Sequence, residues 1–364
     1  PVPAVVTAVE LAWYGCDLRT GGIVEDLPSL KPTGALSRRL GAQTTLQFEL
    51  ALDGAPADWE SATAPGRSLI VAVDTATDIP VWAGAALPRD AGSASTAQLG
   101  AATLEAYLDA RYPGTQTMLT VDQATVCANL ITPALAGGPP LVIDAVPTGT
   151  AIDYLTSDGD DKTILSCLTE VMGLDGGPEW TVDAVWNSRH DGFVFPVRIR
   201  STIGTQAAEP EAVFDYPGGV AEYTLSESYE RGKGATRVIA RGEGEGPDRL
   251  TSPPREATQL IAGGWPIWEY RFTPATGVTD PDQLDGNAAK ELALMAQGAQ
   301  VWSIQGVASA CPRLGRDWAL GDSIRLSIES SRRHPAGADV VARCWAWELE
   351  PGADRVRPIL VEEG

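Results

Sequence analysis

The chain has 364 residues, and its 44% hydrophobic content is enough to form the cores of about two to four domains. Its 38 glycines and 27 prolines fall between short apolar runs, which is typical of a β-rich chain and excludes a mainly helical enzyme. The 27 basic and 48 acidic side chains give a formal net charge of −21, which excludes a protein that holds nucleic acid by neutralising its phosphates.

The first residues argue against a targeting signal. The apolar stretch at residues 4–13 is short, contains Glu10 and lacks a basic lead-in, so we expect no signal peptide. No segment approaches the roughly 18 consecutive apolar residues of a membrane-spanning helix, and we expect no direct membrane insertion.

Short strands are predicted throughout the first hundred residues. Residues 45–50 alternate strictly between polar and apolar side chains, as a half-buried strand does. Residues 65–73 read P-G-R-S-L-I-V-A-V, and residues 320–328 repeat the pattern as L-G-D-S-I-R-L-S-I. Each copy predicts a tight turn leading into a half-buried strand. A second apolar strand with tryptophan follows each copy, at residues 81–84 and 340–347.

This repeated hairpin has two interpretations. Any two antiparallel strand pairs of this length resemble each other, so the likeness can be incidental. The alternative is that the chain contains two related β-barrels, the first formed by residues 1–113. With two related barrels in each polypeptide, a ring contains twice as many similar units as chains, so its approximate rotational symmetry is higher than its number of chains.

The pattern changes after residue 113. Residues 103–109 fit either a strand or a helix and stay unassigned. Asp122 can cap one helix, and the acidic cluster at residues 158–161 can cap a longer one that Gly173 ends. The apolar faces of these helices would be formed by Val126, Leu130 and Ile131, and by Ile164, Leu165, Leu168, Val171 and Met172.

Strands are predicted next at residues 180–186 and 193–199, joined by a turn through residues 190–192. Further strand patterns occur at residues 220–228 and 236–241. A loop follows at 242–254, a single helix is predicted at 281–299, and strands resume at residue 302. A barrel interrupted by an insertion is the simplest arrangement of these elements.

The predicted fold class is therefore β-rich α+β. It comprises two related antiparallel β-barrels with an inserted α/β domain and a second small helix-containing insertion. The predicted division is a first barrel at residues 1–113, an α/β domain at 114–205, a second barrel at 206–242 plus 301–364, and an insertion at 243–300.

The five cysteines are odd in number, widely spaced and set among apolar neighbours: Cys16, Cys127, Cys167, Cys311 and Cys344. This usage predicts buried free thiols in a protein that folds in a reducing cytoplasm. A disulfide between Cys311 and Cys344 is the alternative.

Candidate metal and nucleophile motifs are weak. The cluster at residues 158–161 could bind Ca²⁺ but lacks the loop spacing and distal glutamate of such sites, so helix capping is favoured. His190 lies beside Ser188 and Asp191, yet sequence neighbours on a tight turn point apart, which favours a solvated turn over a triad. His334 is predicted to be exposed. Two histidines without an H-E-x-x-H or C-x-x-C motif argue against zinc.

Two further patterns have structural alternatives. Residues 232–234, G-K-G, resemble a phosphate loop, but no serine or threonine follows the lysine and a hairpin turn is favoured. Glu179 and Asp183 could form a glycosidase pair, with tryptophans stacking on sugars. The tryptophans at alternating strand positions, Trp180, Trp186, Trp345 and Trp347, are by default core or interface residues. We predict no catalytic, cofactor-binding or metal-binding residues, no cofactor and no enzymatic activity.

Two segments carry a family resemblance. Residues 11–28, L-A-W-Y-G-C-D-L-R-T-G-G-I-V-E-D-L-P, and residues 163–183, which include G-G-P-E-W at 176–180, resemble minor tail proteins of long-tailed phages of actinobacteria. Proteins of that kind are tail hubs, and the predicted layout of barrel, α/β domain and interrupted barrel is similar to the layout of that family.

The resemblance implies a structural virion protein at the tail tip, assembled in the host cytoplasm. A hub of this family is a homotrimer in which two barrels per chain present six similar units to a six-fold tail tube. Its expected partners are the distal tail protein ring, the tape measure protein and tip spike or fibre proteins, and the genome passes through the ring without specific binding. The net charge of −21 suits such a channel, although solubility is its ordinary role. The alternative function is a phage tail module that binds or hydrolyses glycans.

Overall fold

A computed structural model describes residues 9–361 except 243, 245, 275–277 and 279. Residues 4–8, the first half of the stretch used above to argue against a signal peptide, lie outside the described residues. Among the described residues, no helix combines the length and apolar character needed to span a membrane.

The first large sheet is antiparallel and has the strand order β2-β1-β6-β7-β8-β5-β3. The elements of this part of the chain are β1 (Leu11–Asp17), β2 (Ile23–Asp26), β3 (Leu30–Pro32), β4 (Leu36–Arg39), β5 (Thr45–Ala51), α1 (Trp59–Ala62), β6 (Ser68–Asp74), β7 (Ile79–Asp90), β8 (Thr96–Thr103) and α2 (Glu105–Asp109). The strand predicted at residues 45–50 is confirmed as β5, and the unassigned segment at 103–109 contains the end of β8 and helix α2.

A middle region follows, which we define as residues 116–200. Its elements are β9 (Gln116–Asp122), α3 (Gln123–Leu135), β10 (Leu141–Ala145), β11 (Ala151–Thr156), α4 (Ile164–Gly173), β12 (Glu179–Val182), β13 (Val185–Trp186) and β14 (Phe193–Arg200). Strands β9 and β11 form a separate two-stranded ribbon. The other sheet has the order β10-β14-β12, with β10 parallel to β14 and β13 also paired to β14.

The second large sheet has the order β15-β21-β22-β23-β20-β16. The remaining elements are β15 (Val213–Tyr216), β16 (Val220–Ser228), β17 (Arg237–Ala240), β18 (Arg255–Glu256), α5 (Thr258–Ala262), β19 (Glu269–Phe272), α6 (Pro281–Met295), β20 (Ala299–Val307), β21 (Ser323–Ile328), β22 (Ala338–Glu350) and β23 (Arg355–Val361). The strand predicted at residues 220–228 is confirmed as β16, and the helix predicted at 281–299 is confirmed as the shorter α6.

The two large sheets have the same strand order when each is counted from its own first strand. This count leaves out β2, which pairs with β1 at the edge of the first sheet, and β4, which pairs with β22 in the second. With β1, β3, β5, β6, β7 and β8 as one set and β15, β16, β20, β21, β22 and β23 as the other, both sheets run first, fourth, fifth, sixth, third, second. The predicted repeated hairpin is confirmed as β6–β7 and β21–β22, which occupy equivalent positions. One pairing differs, because β1 is antiparallel to β6 whereas β15 is parallel to β21.

Strand β4 lies in the second large sheet although it comes from the N-terminal part of the chain. It pairs with the C-terminal half of β22, at residues 346–349, whereas β21 pairs with residues 338–343 of the same strand. Strand β4 thus pairs with β22 on the side opposite β23, beyond the point where β21 ends, and it ties the two large sheets together.

The strand at residues 68–74 was expected to be half-buried, but every residue of β6 is buried. Ile70 and Ala72 belong to the core shared by the two large sheets, whereas Leu69, Val71 and Val73 face a second core formed with the middle region. The sheet is covered on both faces, which explains why this strand reads as a continuous apolar run.

Helix α3 begins as predicted, because Asp122 Oδ1 accepts a hydrogen bond from Ala124 N at 2.9 Å. The prediction that the cluster at residues 158–161 caps the next helix is wrong. Thr163 caps α4, its Oγ1 accepting from Ser166 N at 3.1 Å, and residues 158–160 form a short exposed 3₁₀ turn. A threonine immediately before the helix is a favoured cap and outcompetes the more distant carboxylates.

The single strand predicted at residues 180–186 is two strands, β12 and β13, with Asp183 and Ala184 between them. Asp183 N donates to Pro196 O at 2.9 Å. Proline has no N–H to return that bond, so the ladder to β14 is interrupted at this point. The turn predicted at residues 190–192 lies between β13 and β14.

The strand predicted at residues 236–241 is β17, but it does not belong to the second large sheet as expected. It lies between β18 and β19 in a three-stranded sheet. The segment at residues 232–234 is a turn, yet no hairpin, because the strands before and after it belong to different sheets. The second large sheet is therefore interrupted at residues 229–298, a segment that we call the β16–β20 insertion.

Candidate functional site

The carboxylates considered for a glycosidase are Glu179, which begins β12, and Asp183, which follows its last residue, and both are bound by arginine. Arg343 of β22 donates from Nη1 and Nη2 to Glu179 Oε1 and Oε2 at 2.8 and 2.7 Å. Ile203 N also donates to Glu179 Oε2, at 2.7 Å. Glu179 and Arg343 are buried, so this bidentate pair fastens the middle region to the second large sheet.

Asp183 is held between two arginines. Arg38 Nη1 of β4 donates to Asp183 Oδ1 at 2.8 Å, and Arg198 Nε of β14 donates to Oδ2 at 2.5 Å. Burial raises the pKa of Asp183, but the two guanidinium charges outweigh burial and hold the pKa of this carboxyl below its ordinary value. Asp183 is therefore a fixed anion and is not available as a general acid.

Glu105 of α2 faces the same arginine from the other side. Arg38 Nη2 lies 3.8 Å from Glu105 Oε1, which accepts from Val182 N at 3.3 Å, and Glu105 Oε2 has no hydrogen-bond partner among the described residues. Burial raises the pKa of Glu105 above its ordinary value, although the charge of Arg38 opposes that shift. The side chain is almost fully buried, so no substrate can reach this raised-pKa carboxyl.

A third ion pair joins the two large sheets directly. Arg313, in the loop between β20 and β21, donates from Nε and Nη2 to the two carboxylate oxygens of Asp74 at 2.5 and 2.6 Å. Asp74 ends β6, and its Oδ1 also accepts from Ala76 N at 3.0 Å. Both partners of the ion pair are buried.

We call these three groups the arginine joints: Arg343 with Glu179, Arg38 with Asp183 and Glu105, and Arg313 with Asp74. The joints lie where the large sheets and the middle region meet. Asp74, Glu179 and Asp183 form ion pairs with arginine, and Glu105 is buried away from solvent. This arrangement holds sheets in register and offers no accessible acid and base pair. The arginines were not found from the sequence, because their partners lie far along the chain and no local motif marks them.

The two carboxylates beside Arg38 are expected to respond oppositely to neutralisation. Asp183→Asn should lower the free energy of unfolding by about 2 kcal/mol at neutral pH, because Arg38 and Arg198 lose the charge they share. Glu105→Gln removes a buried charge with an unpaired oxygen, so stability at neutral pH should stay equal or rise.

The pH dependence of these variants follows from the two pKa directions. Asp183 has a lowered folded-state pKa, so its stabilisation is lost as the pH falls through that value. Glu105 has a raised folded-state pKa, so its contribution is present at low pH and is lost as the pH rises through that value. Urea unfolding between pH about 7 and about 2 measures both effects, because the lowered pKa of Asp183 lies below the ordinary value of about 3.9. Equal losses in the two variants at neutral pH would contradict this account.

Both histidines contact other side chains of this chain. His190 is in the predicted turn, but it stacks on Trp186 with ring centroids 3.9 Å apart, and its Nε2 lies 3.0 Å from Asp78 Oδ2. His334 was expected to be exposed and is half-buried, its Nδ1 lying 2.7 Å from Tyr223 Oη. Packing of the hairpin loop against β16 covers it.

The remaining candidates have structural roles. Lys233 pairs with Glu230 at 2.6 Å. The cysteines are free thiols as predicted, and four of them are buried. Cys311 was also expected to be buried but is half-buried, and the burial that it has raises its pKa to about 11. Among the described residues, no three His, Cys, Asp or Glu side chains converge on one metal position. Trp180 and Trp347 are buried in the cores as expected.

The sequence matches no family model and no curated protein. Solved structures resemble it at low identity. A tail protein from Neisseria meningitidis MC58 is 13% identical, with a TM-score of 0.60 over 96% of this chain and 97% of that chain. The prophage MuSo2 43 kDa tail protein from Shewanella oneidensis is 10% identical, with a TM-score of 0.60 over 97% and 98%. Prophage tail protein gp18 from Listeria monocytogenes is 11% identical, with a TM-score of 0.54 over 97% and 94%.

The chain has the fold of these tail proteins.

The likeness spans more than nine-tenths of both chains in each comparison. The tail-protein fold therefore takes in both large sheets, the middle region and the β16–β20 insertion. In this tail-protein fold the arginine joints lie between these regions, at Asp74, Glu105, Glu179 and Asp183.

Proposed function

We propose that this chain is a structural, non-enzymatic protein of a phage tail, and that it acts as a homotrimeric hub at the distal tail tip. The observation that carries this proposal is the shared strand order of the two large sheets. A trimer of chains with two similar sheets offers six similar units, which is the number needed to meet a six-fold tail tube while keeping three-fold symmetry toward the tip. The full-length likeness to tail proteins supports it.

In this proposal each large sheet closes into a β-barrel. The barrels would comprise residues 1–113 and the two parts of the second large sheet, with the middle region as an inserted α/β domain. Relative to the sequence-based division, the second insertion is enlarged to residues 229–298, since β17 pairs within it. The source of the chain in a long-tailed phage of actinobacteria remains a prediction.

The proposed hub surrounds the path of the genome during ejection. The net charge of −21 supports this role, because a negative wall does not retain DNA. Its proposed partners are the distal tail protein ring, the tape measure protein and tip spike or fibre proteins. We place it in the virion at the tail tip after assembly in the host cytoplasm.

A glycan-hydrolysing module is the weaker proposal. An inverting or retaining glycosidase needs one protonated and one ionised carboxyl group that both reach the substrate. Glu179 and Asp183 are instead bound by arginines, and Glu105 is sealed in the interior. The ion pairs of Glu179 and Asp183 and the burial of Glu105 favour the structural role.

The proposed function predicts a defined oligomer. Light scattering on the purified chain should give a mass three times the 38.3 kDa of one chain, or electron microscopy of intact particles should show three copies at a tube end. A dimer in solution, or particles that lack the protein, would contradict the hub.

A further inference from the structure

An acidic cleft lies between the β9–β11 ribbon and the N-terminal end of α6. Its volume is about 400 Å³. Three carboxylates line it from three separate segments, namely Asp153 of β11, Asp175 in the loop after α4, and Asp280 at the N-cap of α6. None of the described residues that line it is a lysine or an arginine.

A buried amide in the wall of this cleft lacks a partner. Gln123, the first residue of α3, is fully buried, and its Nε2 donates to Asp175 O at 2.8 Å. That bond fixes the orientation of the amide, since only the NH₂ group can donate to a carbonyl. Gln123 Oε1 has no hydrogen-bond partner among the described residues, and a buried acceptor left unpaired is unfavourable. This acceptor lies in the wall of the cleft under the cover of its neighbours, so a donor that enters the cleft reaches it only when that cover moves aside.

The acceptors are held firmly. Asn287 Oδ1 of α6 accepts from Asp175 N at 2.7 Å, so the Asp175 peptide is fixed from both sides. Asp153 Oδ1 accepts from Thr120 N at 2.6 Å, and Asp280 Oδ1 accepts from Asp282 N at 3.0 Å. The last two bonds fix the carboxylates of Asp153 and Asp280 in advance of binding, whereas at Asp175 the bonds fix the backbone from which the carboxylate extends.

The spacing of the acceptors favours an organic cation over a metal ion. No three metal-ligating side chains among the described residues converge on one point. A guanidinium or ammonium group on a flexible stem carries several N–H donors and reaches separated acceptors in a cleft of this size. Arginine and lysine side chains have this chemistry.

An apolar ridge borders the cleft. Leu119 of β9 and Leu155 of β11 are each 61% exposed. In β11 the exposed residues alternate as Ala151, Asp153 and Leu155, so Leu155 shares the outward face of the ribbon with an acidic residue of the cleft. Exposed leucines beside fixed carboxylates match a partner segment that carries both apolar and basic residues.

We propose that this cleft and ridge form a docking site for a basic, partly apolar segment of a partner protein. One arginine or lysine side chain enters the cleft, donates to Gln123 Oε1 and pairs with the carboxylates. Its apolar neighbours pack on Leu119 and Leu155. The net charge of −21 attracts such a segment from a distance. This inference goes beyond the proposed hub role, which assigns no residues to partner contacts, and it does not depend on that role.

The test uses the full chain and a fluorescein-labelled peptide with two arginines flanked by leucines. A matched peptide carries citrulline in place of arginine, which keeps the shape and removes the charge. Fluorescence anisotropy at physiological ionic strength should show saturable binding of the arginine peptide, with the citrulline peptide about tenfold weaker or worse. Absence of saturable binding, or equal binding of the two peptides, overturns the proposal.

Two triple variants, which each remove three negative charges, test whether the peptide binds in the cleft. The triple variant Asp153→Asn, Asp175→Asn and Asp280→Asn should weaken binding about tenfold or more, and asparagine retains the capping bond at position 280. The control neutralises three exposed carboxylates of the 3₁₀ turn by Asp158→Asn, Asp160→Asn and Asp161→Asn. An equal loss in the control would mean non-specific attraction to an acidic protein. Leu119→Ser with Leu155→Ser should also weaken binding, and an unchanged affinity would remove the ridge from the site.

Discussion

Arg343→Ala is expected to lower the free energy of unfolding by about 3–5 kcal/mol. The substitution leaves the Glu179 carboxylate buried between the middle region and the second large sheet without its bidentate partner. It also removes the guanidinium from the face of Trp345, where the group lies 5.3 Å from the ring centroid. Urea unfolding followed by tryptophan fluorescence measures the change.

An exposed ion pair of the same sheet supplies the control. Arg325 pairs with Asp339 across β21 and β22, and both side chains are solvent-exposed. Arg325→Ala should therefore cost less than about 1 kcal/mol. The double variant Arg343→Met with Glu179→Leu removes both buried charges and should recover much of the loss. If Arg343→Ala costs no more than Arg325→Ala, this arginine joint does not stabilise the fold.

Gly321→Ala is expected to cost about 3 kcal/mol or more, whereas Gly66→Ala should cost about 1 kcal/mol. The two glycines occupy the same position of the repeated pattern, and both have left-handed backbones, with φ of +90° and +70°. A Cβ on Gly321 would lie 2.4 Å from Ile203 O, whereas a Cβ on Gly66 would have no atom within 4 Å. Backbone strain is common to both variants, and the clash with backbone is specific to Gly321.

Thermal unfolding of the two glycine variants compares them directly. The difference between their melting temperatures reports the close crossing of residues 203–205 over the turn before β21, where Gly204 also has a left-handed φ of +84°. Equal melting temperatures would mean that this segment moves aside without cost. The segment would then contribute nothing to holding the second large sheet.

Local patterns predicted the elements that depend on local physics. Strict alternation predicted β5, a less regular strand pattern predicted β16, and the repeated turn and strand pattern predicted the two equivalent hairpins. Side-chain period and turn glycines are properties of a short segment, so they can be read locally. Asp122 was identified as a cap for the same reason. The cluster at residues 158–161 was misassigned because Thr163, a closer cap, satisfies the helix first.

Features set by contacts between distant segments were not predictable. The strand at residues 237–240 has an ordinary strand pattern, and only its pairing with β19 places it outside the second large sheet. The arginine joints have the same origin, because nothing near Arg38 or Arg313 in the sequence specifies a partner. The acidic cleft likewise forms only when α6 packs beside the β9–β11 ribbon.

The pairing of β4 with β22 sets the time at which the chain can finish folding. Residues 36–39 leave the ribosome early, but the residues that they pair with, 346–349, are synthesised only much later. A nascent chain therefore carries β4 as an unpaired strand through most of its synthesis, and such strands are open to wrong pairing. Any association between copies that requires a completed second large sheet can begin only after β23 has also been made, that is, after translation has passed residue 361.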